Sequence, residues 1–148
     1  MKELIIGMNI PRRNQVIVWG FIVVATLTNI VGYIWNLYKQ IWLSDEVLHA
    51  FTTFALSLLA GVLLYEVILV GSHTRPILFI LAVASLGLAI GAVWEIAEWA
   101  YDQIIPANII LGKNDTIIDL IVDLIGSLIA GFVIRSMVQP RSISKNSN

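Results

Sequence analysis

Residues 115–135 read DTIIDLIVDLIGSLIAGFVIR. From Thr116 to Val138 the chain is apolar enough to cross a bilayer, which takes roughly 20 such residues as a helix. Asp115, Asp119 and Asp123 recur at every fourth position, so in a helix they line one face. At ~1.5 Å rise per residue, Asp123 lies about 12 Å deeper than Asp115. Only the eleven residues Leu124 to Ile134 separate Asp123 from Arg135. They make about 17 Å of helix, against ~30 Å of hydrocarbon. Asp123 is therefore expected below the interface, with Asp119 near its upper edge. Ionisable residues at such depth are expensive and mark functional sites.

Three further runs have the same character: about 16–35, 47–70 and 76–99. The chain of 148 residues is 58% hydrophobic and 13% charged, with mean hydropathy +0.86. That composition excludes a soluble domain. The expected fold is all-α: a polytopic membrane protein with four transmembrane helices in one bundle, spanning residues 16–138. The first run lacks a small-residue cleavage site and reads as a signal anchor. No cysteine is present, so disulfides and thiolate metal sites are excluded.

Charge sets the orientation. Lys2, Arg12, Arg13, Arg75, Arg135, Arg141 and Lys145 fall on one side of the four runs, and only Lys39 and Lys113 on the other. The basic side is expected to be cytoplasmic, with both termini there. Asp45, Glu46, Glu95, Glu98, Asp102, Asp115, Asp119 and Asp123 gather on the opposite side, leaving only Glu3 and Glu66 toward the inside. Trp35, Tyr38, Trp42, Trp94, Trp99 and Tyr101 would form an aromatic belt at the acidic face.

Residues 1–15 are expected to form a cytoplasmic or interfacial segment. The loop Gly71 to Arg75 is tight, with Pro76 suited to a helix start. Gln103 to Gly112 is apolar for a loop and is expected to lie in the interface or over the bundle mouth. Residues 139–148 are polar and expected to be disordered. Ser57 and Gly61, Gly87 and Gly91, and Ser127 and Gly131 have the small-xxx-small spacing that lets helices approach closely. They suit an internal bundle or a homodimer seam equally.

Each run carries a polar stripe that reaches the acidic face. Asn29, Tyr33 and Asn36 share a face of the first. Asp45 and His49 are i and i+4 on the second, where Glu46 and His49 also make an E-x-x-H pair, with Thr52 and Thr53 a turn deeper. Glu95, Glu98 and Asp102 are i, i+3 and i+7 on the third. Some of this has a plain explanation: Asp45, Glu46 and Asp115 suit helix N-termini, and Asn29, Tyr33 and Asn36 suit interhelical hydrogen bonding. Glu95, Asp119 and Asp123 do not, because no Lys or Arg lies between Lys39 and Arg75, Arg75 and Lys113, or Lys113 and Arg135. Clustered carboxylates without basic partners are protonated, hydrated or bound to a cation.

Carboxylates with one imidazole and no thiolate favour a hard or borderline divalent cation, Mg, Mn, Ca or Zn. The expected ligands are Glu95, Glu98, Asp119, Asp123 and His49, with Asp45 orienting His49 as a catalytic pair and Asn29, Tyr33, Asn36 and Asp115 in support. A di-iron pattern needs two E-x-x-H motifs, and only Glu46-x-x-His49 is present. A phosphatase site built on Arg and His has no Arg on the acidic side. There is no serine nucleophile elbow and no P-loop.

Three stretches carry a family resemblance: Asp45-x-x-x-His49-x-x-x-x-Phe54, Trp94-Glu95-Ile96-Ala97-Glu98-Trp99, and Asp115-Thr116-x-x-Asp119-x-x-x-Asp123-x-x-Gly126. In this order they resemble the YjdF-like proteins and, more distantly, the VanZ-like proteins. The resemblance implies a prokaryotic inner-membrane protein of several helices. The VanZ-like association with glycopeptide-antibiotic resistance points toward envelope lipids.

The expected function is thus a divalent-cation-binding pocket open to the outer face, in a membrane hydrolase or transferase acting on lipid or polyprenyl phosphates. Membrane lipids are the expected partners, and nucleic acid is not one. Two other functions fit the same residues: a cation or proton pathway, and a non-catalytic subunit whose acidic mouth docks a cationic partner.

Overall fold

A computed structural model describes residues 12–35, 37–40, 43–68, 76–105, 110 and 112–137. Five helices occur among them: α1 (Arg12–Ile34), α2 (Leu37–Gln40), α3 (Ser44–Ile68), α4 (Pro76–Ile104) and α5 (Lys113–Met137). The fold is all-α. Four helices are long and apolar enough to cross a membrane, over Arg13–Ile34, Ser44–Leu63, Pro76–Ile104 and Lys113–Met137. Residues 1–11, Asn36, Trp42, the 71–75 loop, residues 106–109 and the 139–148 tail lie outside the described residues.

Helix ends follow local chemistry. Leu43 has φ of 69°, a left-handed conformation uncommon for a branched residue, and it turns the chain into α3. The Ser44 hydroxyl donates to the Leu37 carbonyl at 2.9 Å, tying α2 to the start of α3. Asp45 and Glu46 occupy the first turn of α3 and Asp115 that of α5, where negative charge complements the helix dipole. Gly112, at φ 125°, supplies the positive φ that precedes α5.

α4 is longer than the apolar run alone implies. It continues past Trp99 to Ile104, so Asp102 is still helical. Nothing in Ala100 to Ile104 breaks a helix, and the Ile105 amide still bonds the Tyr101 carbonyl at 2.8 Å. Its 29 residues span about 43 Å, which leaves its last turns beyond a ~30 Å hydrocarbon layer.

α3 is the hub, packing against α1, α4 and α5, with α5 closest to it. α1 leans mainly on α3, through edge-on contact of Phe21 with Phe54 (centroids 5.2 Å) and Phe51 (6.2 Å). At its start the Asn14 amide donates to the Met137 carbonyl of α5 at 3.2 Å. The apolar core of Val18, Leu58, Val62, Phe79, Val83, Ala130 and Ile134 fills the end of the bundle away from the acids.

Toward the acidic end the three helices α3, α4 and α5 meet through small residues. Gly126 abuts the Ala50 backbone carbonyl so closely that a β-carbon there would collide with it, and Gly87 faces Ser57 and Ser127. Gly61 faces Ile134, and Gly131 faces Ile80. The small-residue faces of α3, α4 and α5 are therefore turned into the chain itself. In lipid, where burial gives no hydrophobic advantage, such close approach supplies the packing that holds helices together.

Candidate metal centre

The four-residue step that lines up a helix face places His49, Thr53 and Ser57 on α3 opposite Asp119, Asp123 and Ser127 on α5. Glu95, Gly91 and Gly87 face them from α4. The uppermost layer is charged. His49 is 9% exposed, Glu95 6%, Asp119 3% and Asp123 0%. Such residues are almost never this buried without a partner.

His49 is the centre. Its Nε2 lies 3.9 Å from Asp45 Oδ1 and 3.8 Å from Glu95 Oε1, and its Nδ1 lies 3.5 Å from Asp123 Oδ1. Potential donor atoms of Asp45, His49 and Asp119 all lie within 4.8 Å of one another, and so do those of His49, Glu95 and Glu98. The Trp94 indole N–H donates to Glu98 Oε1 at 2.8 Å, steadying that carboxylate at the rim. Among the described residues, no Lys or Arg pairs with Asp45, Glu95, Glu98, Asp119 or Asp123.

One layer down, the Thr53 hydroxyl donates to Asp123 Oδ1 at 2.5 Å. Asp123 Oδ2 is packed onto Gly91, where a β-carbon would overlap it. Below that, the Ser127 hydroxyl donates to backbone carbonyls, that of Asp123 at 2.8 Å among them.

The expected site residues are thus distributed unevenly. His49, Glu95, Glu98 and Asp119 fall into the two donor sets, joined by Asp45 on the Nε2 side of the imidazole. Asp123 lies on the Nδ1 side and outside both sets. Asn29 donates to the Ala25 carbonyl at 2.8 Å and to the Thr52 hydroxyl at 2.6 Å, linking α1 to α3. Tyr33 is 77% exposed and Asn36 lies outside the described residues. Asp115 remains partly exposed in the first turn of α5. Residues absent from the expected site also contribute: Thr53, which follows His49 by the same four-residue step, Trp94 beside Glu98, and Gly91, whose lack of a side chain is what seats Asp123.

The arrangement fits a divalent cation. Oxygen and nitrogen ligands sit ~2.0–2.6 Å from Zn or Ca, so two on opposite sides of an ion are about 4–5 Å apart. Glu95 Oε1 is buried without a hydrogen-bond partner among the described residues, and it points at the His49 ring. A buried oxygen left in that state costs about 1–3 kcal/mol, which a bound cation would relieve.

Comparisons with known proteins agree on the class. The profile of a family described as "Predicted membrane protein (DUF2238)" matches residues 7–139. A Thermotoga maritima protein described as uncharacterized is 30% identical over 127 residues, covering 84% of this chain and 62% of the relative. The chain thus spans less than two thirds of that relative's length. No solved structure matches the chain.

Proposed function

This chain belongs to the DUF2238 family of predicted membrane proteins, and from that premise we propose that it holds a divalent cation at the acidic end of its bundle and uses it on a phosphate-bearing lipid. The observation that carries the proposal is Glu95 Oε1. It is buried, without a hydrogen-bond partner among the described residues, and 3.8 Å from the His49 imidazole. The ion would be held by His49, Glu95 and Glu98, or by Asp45, His49 and Asp119. A bound divalent cation polarises phosphate oxygens and lowers the pKa of a bound water.

The chain's own residues set the remaining conditions. A cluster of carboxylates repels a phosphate, so the acidic end becomes receptive to an anionic headgroup only once a cation inverts the local field. Asp45, whose side chain is 34% exposed, is within reach of water. It is the group of the cluster suited to taking up and releasing a proton. Trp94 restrains Glu98 and keeps one rim carboxylate from swinging out. The substrate class is argued from location: membrane-spanning helices carry the centre, so its neighbours are bilayer molecules such as lipid or polyprenyl phosphates. The resemblance to VanZ-like proteins supports an envelope-lipid setting. The Lys and Arg asymmetry supports cytoplasmic termini with the acidic end outside, and the family resemblance supports a prokaryotic inner-membrane location. The apolar core beneath the seam favours a one-sided site over a cation or proton path.

Metal analysis of the purified full-length chain tests the reading. Stoichiometric divalent metal is expected, lost in Glu95→Ala and Asp119→Ala. Wild-type protein that neither retains nor takes up divalent metal would overturn it.

A further inference from the structure

The two ring nitrogens of His49 face different surroundings. Nε2 looks toward Asp45 and Glu95, in the layer that holds both donor sets. Nδ1 faces Asp123 Oδ1, at 3.5 Å. Asp123 is the most enclosed carboxylate of the cluster, at 0% exposure. Three helices fix it: α5 carries it, Thr53 of α3 donates to the same Oδ1 at 2.5 Å, and Gly91 of α4 forms the floor under Oδ2. Asp45 is less constrained, and it stands beside Nε2 instead of behind the ring.

We propose that Asp123 is a positioning residue: it accepts the Nδ1–H of His49, with Thr53 locking its carboxylate, so that the Nε2 lone pair is left for the cation. This rests on the reading of His49 Nε2 as a cation donor. The physical ground is general. An imidazole has one lone pair to give a metal, and the hydrogen bond made by its other nitrogen decides which nitrogen gives it. Ligating histidines usually donate that second N–H to a carboxylate or carbonyl, which fixes the ring's rotation and raises its basicity. The 3.5 Å separation is a few tenths of an ångström beyond an ordinary N–H···O hydrogen bond, a gap that a small turn of the ring closes. Thr53 has the matching role, because its hydroxyl can donate to Asp123, whereas an isosteric valine cannot.

The test has two arms, both on the detergent-solubilised full-length chain. In the first, Zn2+ and Mn2+ are titrated separately. Asp123→Asn should weaken binding about 10–100-fold, Thr53→Val should weaken it less, and Thr53→Ser should retain wild-type affinity. In a His49→Ala background, Asp123→Asn should add no further loss, because the residue acts through the imidazole. An equal loss with and without His49 would overturn the proposal, since Asp123 would then ligate the ion or only support the fold. Thermal unfolding accompanies each titration. Should Asp123→Asn fail to fold, the contrast between Thr53→Val and Thr53→Ser decides.

The second arm needs no metal. His73 is the other histidine of the chain, so 15N-histidine labelling of a His73→Gln chain reports His49 alone. A hydrogen-bonded Nδ1–H signal is expected, lost in Asp123→Ala, which has no acceptor oxygen, and kept in Glu95→Gln. Its absence from the parent chain overturns the proposal. A chain that binds neither ion overturns the metal reading instead, and this signal still decides whether Asp123 holds His49.

Discussion

Asp123 rests its carboxylate on Gly91: a β-carbon added to Gly91 would occupy the space of Oδ2 and Cγ. Gly91→Ala should therefore displace Asp123 or separate α4 from α5. Overpacking of this kind costs about 1–3 kcal/mol, so thermal unfolding in detergent should shift clearly downward. Gly20 has open space around it, and Gly20→Ala should hold or raise stability, because alanine favours helix over glycine by up to about 1 kcal/mol.

Gly126→Ala should be the harsher substitution. The obstacle there is the Ala50 backbone carbonyl, which cannot rotate away as a side chain can. α3 and α5 would have to separate beside His49 and Asp123. Divalent-metal affinity and thermal stability should fall together, whereas Glu95→Gln should reduce affinity with little change in stability.

Glu98 offers a graded test. Trp94→Phe removes the indole donor but keeps a ring, leaving Glu98 Oε1 without the bond that steadies it. The residue is partly exposed, so water replaces much of that bond, and metal affinity should drop by less than tenfold. Glu98→Ala removes a donor atom and should cost more than Trp94→Phe in the same titration.

Metal affinity should depend on pH with one sign. Protons and the cation compete for the same carboxylate oxygens and imidazole nitrogen, so binding releases protons and strengthens as pH rises. Isothermal titration at several pH values should show a shallower dependence for His49→Ala than for wild type. An affinity that fell as pH rose would contradict coordination by these groups.

The orientation is open to direct measurement because the chain has no cysteine. Asn114→Cys, at the acidic end, should react with a membrane-impermeant maleimide in intact cells. Ser144→Cys should react only after the membrane is opened. The reverse pattern would invert the assignment from Lys and Arg.

The spans and the gathering of the acids are legible in the sequence, because both depend on local spacing: apolar length gives the first, and the steps from Asp115 to Asp119 to Asp123 and from Asp45 to His49 give the second. What the sequence leaves open is rotation. Nothing local tells which carboxylate meets which nitrogen of His49, so the different surroundings of Asp45 and Asp123 emerge only when α3, α4 and α5 are packed together. Tyr33 makes the same point. Its spacing from Asn29 suggests a shared inward face, yet near that end α1 turns Gly32 inward and leaves Tyr33 in the open. α2 is too short to show a periodicity, and the extra turn of α4 depends on the absence of a breaker before Pro106 and not on hydropathy.

The apolar plug of Leu58, Val62, Phe79, Val83, Ala130 and Ile134 divides the labour of the molecule along the membrane normal. One half carries the polar chemistry, while the other serves as ballast whose only requirements are volume and greasiness. Permissiveness to substitution should therefore be lopsided. A saturating mutational library selected for intact protein should accept conservative aliphatic exchanges throughout the plug, while His49, Asp123 and Gly91 tolerate almost nothing. The ballast half can wander in sequence space, and it gives the demanding half a rigid footing against which to remain unchanged.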